Sequence, residues 1–403
     1  MIKNDKDSIF HRPELAACLT AMLLGDDPLS CAGRSGLFLS APRRTGKSTF
    51  LRNDLIPAIE KSGAVAVYVD LWADRTRDPG DLIAEALRDA LANQAGPLVA
   101  ALRSLRRIKK AGAKGEVAGF KGELGFELET VGQSQGTTLS KAFEALHRRT
   151  KRPIVFIIDE AQHALSSQRG ADTLFALKAA RDALNLAAAK PQLAIVATGS
   201  DRAKIADMVM RKNQAFYGAS TETFPPLGEA FVAHFAKNLL SHRLPAARMP
   251  RPQELMRAFQ VLGSRPDDLR KAIRDGLIRP EKDLGEAIIA AAHEQRDTIR
   301  EELRKQLAAL RPLQRALLKR MVKGGDDRSP FSQESLAYYH KEVGDNTMST
   351  SAVQKALDGL AAKGFVWRSA RGVYALNDVT VAEFFYDAGM QQALLRDLAS
   401  DSA

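Results

Sequence analysis

The chain has 403 residues, of which 45% are hydrophobic and 27% charged, and carries a net charge of +11 with a pI near 9.6. That length suggests two or three domains, and the composition is that of a soluble globular protein rather than a disordered or fibrous one. Two cysteines, Cys18 and Cys31, exclude a disulfide framework and a cysteine-built zinc centre, while the basic balance suits a polyanionic partner without naming one.

The opening "MIKNDKDSIF" lacks the apolar core of a signal peptide, and no apolar run reaches the length of a membrane span. A cytoplasmic protein with no membrane partner is expected. "GLFLSA" (36–41) and "AVAVYVDLW" (64–72) are short runs of branched apolar residues, as are "PIVFIIDEA" (153–161) and "LAIVATGS" (193–200). Their near-continuous apolar character predicts parallel strands covered on both faces. Helical patterns fall between them: 47 to about 61, a second opening at Asp78-Pro79 with Asp81 in its first turn, then 138–149 and 171–188. Strand–helix alternation of this kind predicts a three-layer α/β domain.

An insertion interrupts the alternation. "LRSLRRIKKAGAKG" (102–115) is strongly basic, and "GEVAGFKGELGFELE" nearly repeats itself, which predicts an exposed glycine-rich β-hairpin within about 102–136. The basic run reads as a solvated linker or a nucleic-acid contact. Beyond Phe224 strand-like runs vanish. Apolar positions at 284, 288, 292, 299, 303, 307 and 310 predict a long amphipathic helix, with Glu301 and Lys305 as an i,i+4 pair on its wet face. From about Arg311, three helical segments precede "FVWRSARGVYALND", two short strands joined by "SARG". Three helices and a terminal hairpin give the winged helix-turn-helix order. On its third helix Val353, Leu357 and Leu360 face inward. Gln354 and Lys355 would reach bases or phosphates of double-stranded DNA, with Arg368 and Arg371 on the wing. Asp358, on the same outer face, would repel phosphate, so a protein-binding winged helix is the alternative.

The chemistry sits after the first strand. Ala41-Pro42-Arg43-Arg44-Thr45-Gly46-Lys47-Ser48 fits G-x-x-x-x-G-K-[ST] in all but the first glycine, and Thr49 follows. Such a loop turns backbone N–H groups around a β-phosphate, and the helix that follows presents its positive end. Gly46 permits close approach, Lys47 reaches the β- and γ-phosphates, and Ser48 offers a hydroxyl to Mg²⁺. Ala41 would have to tolerate a geometry that glycine adopts more cheaply. The partner is "IVFIIDEAQ", where an apolar run carries Asp159 to a strand's carboxyl end, beside the loop. There Asp159 would hold Mg²⁺ through its water shell, and Glu160 would act as general base on the attacking water. Together the two elements point to nucleotide hydrolysis rather than mere binding; the resemblance below makes the nucleotide ATP.

"APRRTGKSTFL", "FIIDEAQ" and "VATGS" together resemble the AAA+/STAND group of P-loop ATPases, in its archaeal-ATPase-type, origin-recognition-like branch, where alanine in the first loop position is tolerated. "IFHRPEL" (9–15) resembles that family's element near the adenine. The resemblance implies a five-stranded parallel sheet, a helical lid and a C-terminal winged helix. It divides the chain into an ATPase domain (1–223), a lid (224–310), a winged helix (311–388) and a tail (389–403). It further implies that Thr198, or else Ser200, senses the γ-phosphate. Arg211 would be a finger acting on a neighbouring subunit of an ATP-dependent homo-oligomer, and Arg265, or else Arg270, the lid's contact with nucleotide. The function so implied is an ATP-driven switch acting on DNA. A signalling ATPase whose winged helix contacts protein or locks the chain shut is the alternative.

Overall fold

The structure, a computed structural model, describes residues 9–25, 27, 29–42, 44–74, 76–94, 138–241, 244–245, 248–279, 283–324, 329–344, 349–370, 373–376 and 379–386. The expected hairpin insertion, Arg43, Arg371 and the tail lie outside the described residues.

Five strands form one parallel sheet in the order β2-β3-β4-β1-β5. They are β1 (Leu37–Ser40), β2 (Val65–Asp70), β3 (Ile154–Asp159), β4 (Leu193–Gly199) and β5 (Ser220–Thr223). Four of them coincide with the apolar runs. Along β3 the side chains alternate between the two faces: Ile154, Phe156 and Ile158 enter one core, Val155 and Ile157 the other. All are fully buried, which is why the run is apolar throughout.

Helices cover both faces. One face carries α1 (Pro13–Leu24), α2 (Ala32–Ser35), α3 (Lys47–Phe50) and α4 (Ile56–Lys61), with a π-helical turn, Leu51–Leu55, joining α3 to α4. The other carries α5 (Pro79–Gln94), α6 (Leu139–Thr150), α7 (Gln168–Asn185) and α8 (Arg202–Met210). Capping follows the expected chemistry. Asp78 accepts from the Gly80 amide at 2.8 Å at the start of α5, and Thr138 accepts from the Lys141 amide at the start of α6.

A separate helical core follows, from α9 (Glu229–Phe235), α10 (Pro252–Val261) and α11 (Pro266–Leu277) to the first half of α12 (Leu284–Ala308). At 25 residues, α12 is about 37 Å long. Its apolar stripe is buried only at the two ends. Leu284 and Ile288 enter the lid core and Leu307 the next one, whereas Ile299 between them is 44% exposed. One helix therefore serves two cores. Glu301 forks onto Arg304, not the expected Lys305.

The last core packs α13 (Pro312–Gly324), α14 (Gln333–Val343) and α15 (Thr350–Ala362) with an antiparallel hairpin and a closing helix, α16 (Val379–Tyr386). The hairpin strands are β6 (Val366–Ala370) and β7 (Val373–Leu376). This is the expected winged-helix order, with Val353, Leu357 and Leu360 buried. Strand β6 also lies alongside α8 of the sheet domain.

Candidate functional site

The 41–49 loop leaves the carboxyl end of β1 and enters α3. Ala41 is fully buried and donates its amide to the Gly199 carbonyl at 3.2 Å. Its φ is not positive. The expected cost at Ala41 is therefore absent, and the left-handed residues are Arg44 (φ 64°) and Gly46 (φ 84°). Glycine adopts that region freely, but Arg44 holds it against roughly 1–2 kcal/mol of steric cost. A hydrogen bond from Thr45 Oγ1 to the Pro42 carbonyl at 2.8 Å tightens the turn.

Strand β4 lies between β1 and β3, so Thr198 comes to lie beside Asp159 at the carboxyl ends of the two strands. This interposed strand was not read from the sequence, and it explains the contacts. Thr198 is fully buried and donates to Asp159 Oδ1. Lys47 is buried, and its Nζ lies 3.1 Å from both Asp159 Oδ1 and Glu160 Oε1. Ser48 Oγ donates to Asp159 Oδ2 at 2.6 Å. Three of the predicted residues, Lys47, Ser48 and Thr198, thus converge on the Asp159 carboxylate.

Glu160 follows β3 with φ 54°. A non-glycine residue in that region carries strain of order 1 kcal/mol or more, which clusters at functional sites. Its Oε2 accepts from Ser200 Oγ at 2.8 Å, from the Ser200 amide and from Gln162. Both senses of shift act on the pair. Burial pushes the Asp159 carboxyl up, but the Lys47 charge and hydrogen bonds from Ser48, Thr198 and Lys47 outweigh it, and the group sits below its ordinary value. At Glu160 burial is likewise outweighed by Lys47, Gln162 and Ser200, again lowering the pKa. Both acids are ionised at neutral pH, held by the lysine between them.

The loop borders a cavity of about 810 Å³. Ile9, Phe10 and Arg12 line it together with Phe224, Leu227 and Phe231, and so do Asp70, Trp72, Asp159 and Glu160. Phe10 meets Phe231 edge-on at 5.8 Å; the Arg12 guanidinium sits 4.9 Å over the Phe224 ring and donates to the Pro225 carbonyl at 2.7 Å. The "IFHRPEL" segment therefore lines the site.

The remaining predicted residues are placed as follows. Pro42, Arg44, Thr45, Gly46, Ser48 and Thr49 line the cavity with Lys47. From the lid, Arg270 reaches the wall and Arg265 does not; Arg265 immediately precedes α11, with no side-chain capping bond, and faces Asp268 at 3.9 Å. Arg211 ends α8, half exposed and paired with Asp207 at 2.7 Å, away from the cavity lining. Gln354 is turned onto its own domain, donating to Asp358 Oδ1 at 2.8 Å and Tyr374 Oη at 3.1 Å. Lys355 is exposed, and Arg368 lies on β6.

Sequence reasoning missed Gln162, Tyr68 and Arg52. Gln162 stood in view beside the Asp–Glu pair in "DEAQ". Tyr68 was visible only as a polar tip within an apolar strand, and nothing marked Arg52.

No protein-family model matches the chain, and no curated protein matches it. Solved structures do. Aeropyrum pernix ORC2 in its ADP form aligns over 100% of this chain and 99% of that one, at 13% identity and a TM-score of 0.51. The same protein in ADPNP–ADP complexes aligns over 99% of both chains, at 13% identity and again 0.51. The chain shares the fold of this ORC2 protein. The Walker-type ATPase PABY2304 of Pyrococcus abyssi also aligns, over 94% of this chain and 96% of that one, at 16% identity and a TM-score of 0.49. The expected five-stranded parallel sheet with its covering helices is borne out by the fold shared with ORC2.

Proposed function

We propose that this chain is an ATP-hydrolysing molecular switch of the AAA+/STAND type. The observation that carries the reading is the convergence of Lys47, Ser48, Asp159, Glu160 and Thr198 at the carboxyl ends of three neighbouring strands, beside a cavity that Phe10, Phe224 and Phe231 also line. That Aeropyrum pernix ORC2 was solved with ADP and ADPNP agrees with it. The phosphates lie in the 41–49 loop and the base against Phe10 and Phe231. Lys47 exchanges its two carboxylates for the β- and γ-phosphate oxygens. This frees Glu160 from its cation, and the carboxylate then accepts a proton from water. Thr198 or Ser200 orients that water or the γ-phosphate.

Ser48 Oγ and Asp159 Oδ2, hard oxygens 2.6 Å apart with the acid ionised, are a donor set that fits Mg²⁺, which keeps several waters and takes one or two protein oxygens. Bound there, Mg²⁺ would neutralise charge on the β- and γ-phosphates. Arg211 completes a neighbour's site in a homo-oligomer, and Arg265 or Arg270 reports nucleotide to the lid. Among the described residues no helix is long and apolar enough to cross a membrane, and a cytoplasmic location is part of this reading.

The winged helix is the output, and duplex DNA is its first candidate partner, met by Lys355, Arg368 and Arg371. Two observations favour the second reading, a winged helix that restrains the ATPase: β6 lies along α8, and Gln354 is spent on Asp358 and Tyr374. Turnover measured with and without duplex DNA separates the two. For the ATPase itself the test is Glu160→Gln, which keeps the side-chain size and loses the base. ATP is expected to bind and persist, with turnover falling at least a hundredfold, to about the limit set by general-base contributions. Hydrolysis at the parent's rate would place the base elsewhere.

A further inference from the structure

Tyr68 sits in β2 between buried Val67 and Val69. A phenol in such a strand usually finds a partner for its hydroxyl. Here the partner is remote in sequence and central to the site: Tyr68 Oη donates to Asp159 Oδ2 at 3.1 Å. The same oxygen accepts from Ser48 Oγ at 2.6 Å, while Oδ1 is occupied by Lys47, Thr198 and the Glu160 amide.

Tyr68 is itself held. The Arg52 guanidinium lies 4.9 Å over its ring and 3.5 Å from Asp70 Oδ2. Arg52 follows Ser48 by four residues, so the two share a helix face, at the point where the helix widens into its π turn. The contacts close a ring: Ser48 to Asp159, Asp159 to Tyr68, Tyr68 to Arg52, and back along one helical turn to Ser48. None of the recognised motifs includes β2, yet β2 supplies this link.

Resting on the ATPase reading, we propose that Tyr68 is a positioning residue that fixes the Asp159 carboxylate against Ser48 and so sets the affinity of the site for Mg²⁺. A carboxylate held at both oxygens cannot rotate, and it presents one geometry to the cation. Partners of this outer kind are worth 10–100-fold in metal affinity elsewhere. Tyr68→Phe removes one oxygen and keeps the ring that packs under Arg52.

The experiment is a Mg²⁺ titration of fluorescent mant-ADP binding on the full chain, with a parallel measurement in EDTA. In Tyr68→Phe the Mg²⁺ concentration at half-maximal binding is expected to rise about tenfold, with binding in EDTA and the thermal midpoint unchanged. Arg52→Gln is expected to shift the Mg²⁺ midpoint in the same direction by a smaller factor. An unchanged midpoint in folded Tyr68→Phe overturns the proposal. Equal weakening in EDTA and in Mg²⁺ also overturns it, since that marks general damage to the loop. Should Tyr68→Phe not fold, an unchanged midpoint in Arg52→Gln is decisive against it. A parent that binds no nucleotide with or without Mg²⁺ overturns both this assignment and the ATPase reading.

Discussion

Removing Lys47 has a consequence for folding that is separate from catalysis. The ammonium lies 3.1 Å from two carboxylates, with Asp159 only 1% exposed and Glu160 15%. At an effective dielectric of about 20, each contact is worth about 5 kcal/mol before desolvation is counted. Taking one member from a buried pair costs about 3–5 kcal/mol, because the charges left behind stay buried. The orphaned carboxylates recover part of that by taking up protons, which leaves a loss of about 2–4 kcal/mol for Lys47→Ala at pH 7. For a domain of this size that is a fall of roughly 5–15 °C in the thermal midpoint of the nucleotide-free protein. The pH dependence has a defined sign. Both acids have depressed pKa values in the folded parent, so their contribution is present above the unfolded value near 4 and is lost as pH falls through the folded one. Lys47→Ala lacks that contribution, and its acids protonate earlier. The gap between parent and variant is therefore widest at pH 7 and narrows toward pH 4. Thermal melts across that range, without nucleotide, measure it. Equal midpoints at pH 7, or a gap that widens on acidification, would refute the reasoning.

Two further outcomes are expected. Arg211→Ala should leave ATP affinity intact and lower turnover by about a thousandfold, as for arginine fingers elsewhere, and mixing with Lys47→Ala should restore part of the activity. Equal turnover per subunit across a wide dilution series, with Arg211→Ala active, would instead make Arg211 a solvated helix-end residue tied to Asp207. If the winged helix binds duplex DNA, Lys355→Ala should weaken it evenly across sequences and reduce the salt slope by about one, while Gln354→Ala, already bonded within its domain, should change little; titrations at several salt concentrations check both.

The phosphate loop and the Asp–Glu pair were legible because each is local. Spacing within one turn places Gly46, Lys47 and Ser48, and a continuous apolar run carries Asp159 to a strand end. What could not be read is set by distant chain. Strand β5 is Ser-Thr-Glu-Thr with three residues exposed, and it is a strand only because it pairs with β1. The interposition of β4, which brings Thr198 onto Asp159, is a property of sheet order and leaves no local mark. The cost foreseen at Ala41 falls instead on Arg44, because the backbone path of the loop, not its first residue, decides where φ turns positive. The choice between Arg265 and Arg270 depends on which turn of α11 faces the cavity, and Tyr68 meets Asp159 across 91 positions. Even the stripe on α12 was half informative: it fixed the helix but hid that two cores share it.

The central claim is that Lys47 acts on the transferring phosphate of ATP. It is tested most directly by release of phosphate from ATP and Mg²⁺ by the parent and by Lys47→Ala, both shown to be folded at the assay temperature. Turnover in the parent and its loss in Lys47→Ala, by two orders of magnitude or more since charge stabilisation dominates this chemistry, is the predicted result. Near-normal turnover in folded Lys47→Ala would contradict it.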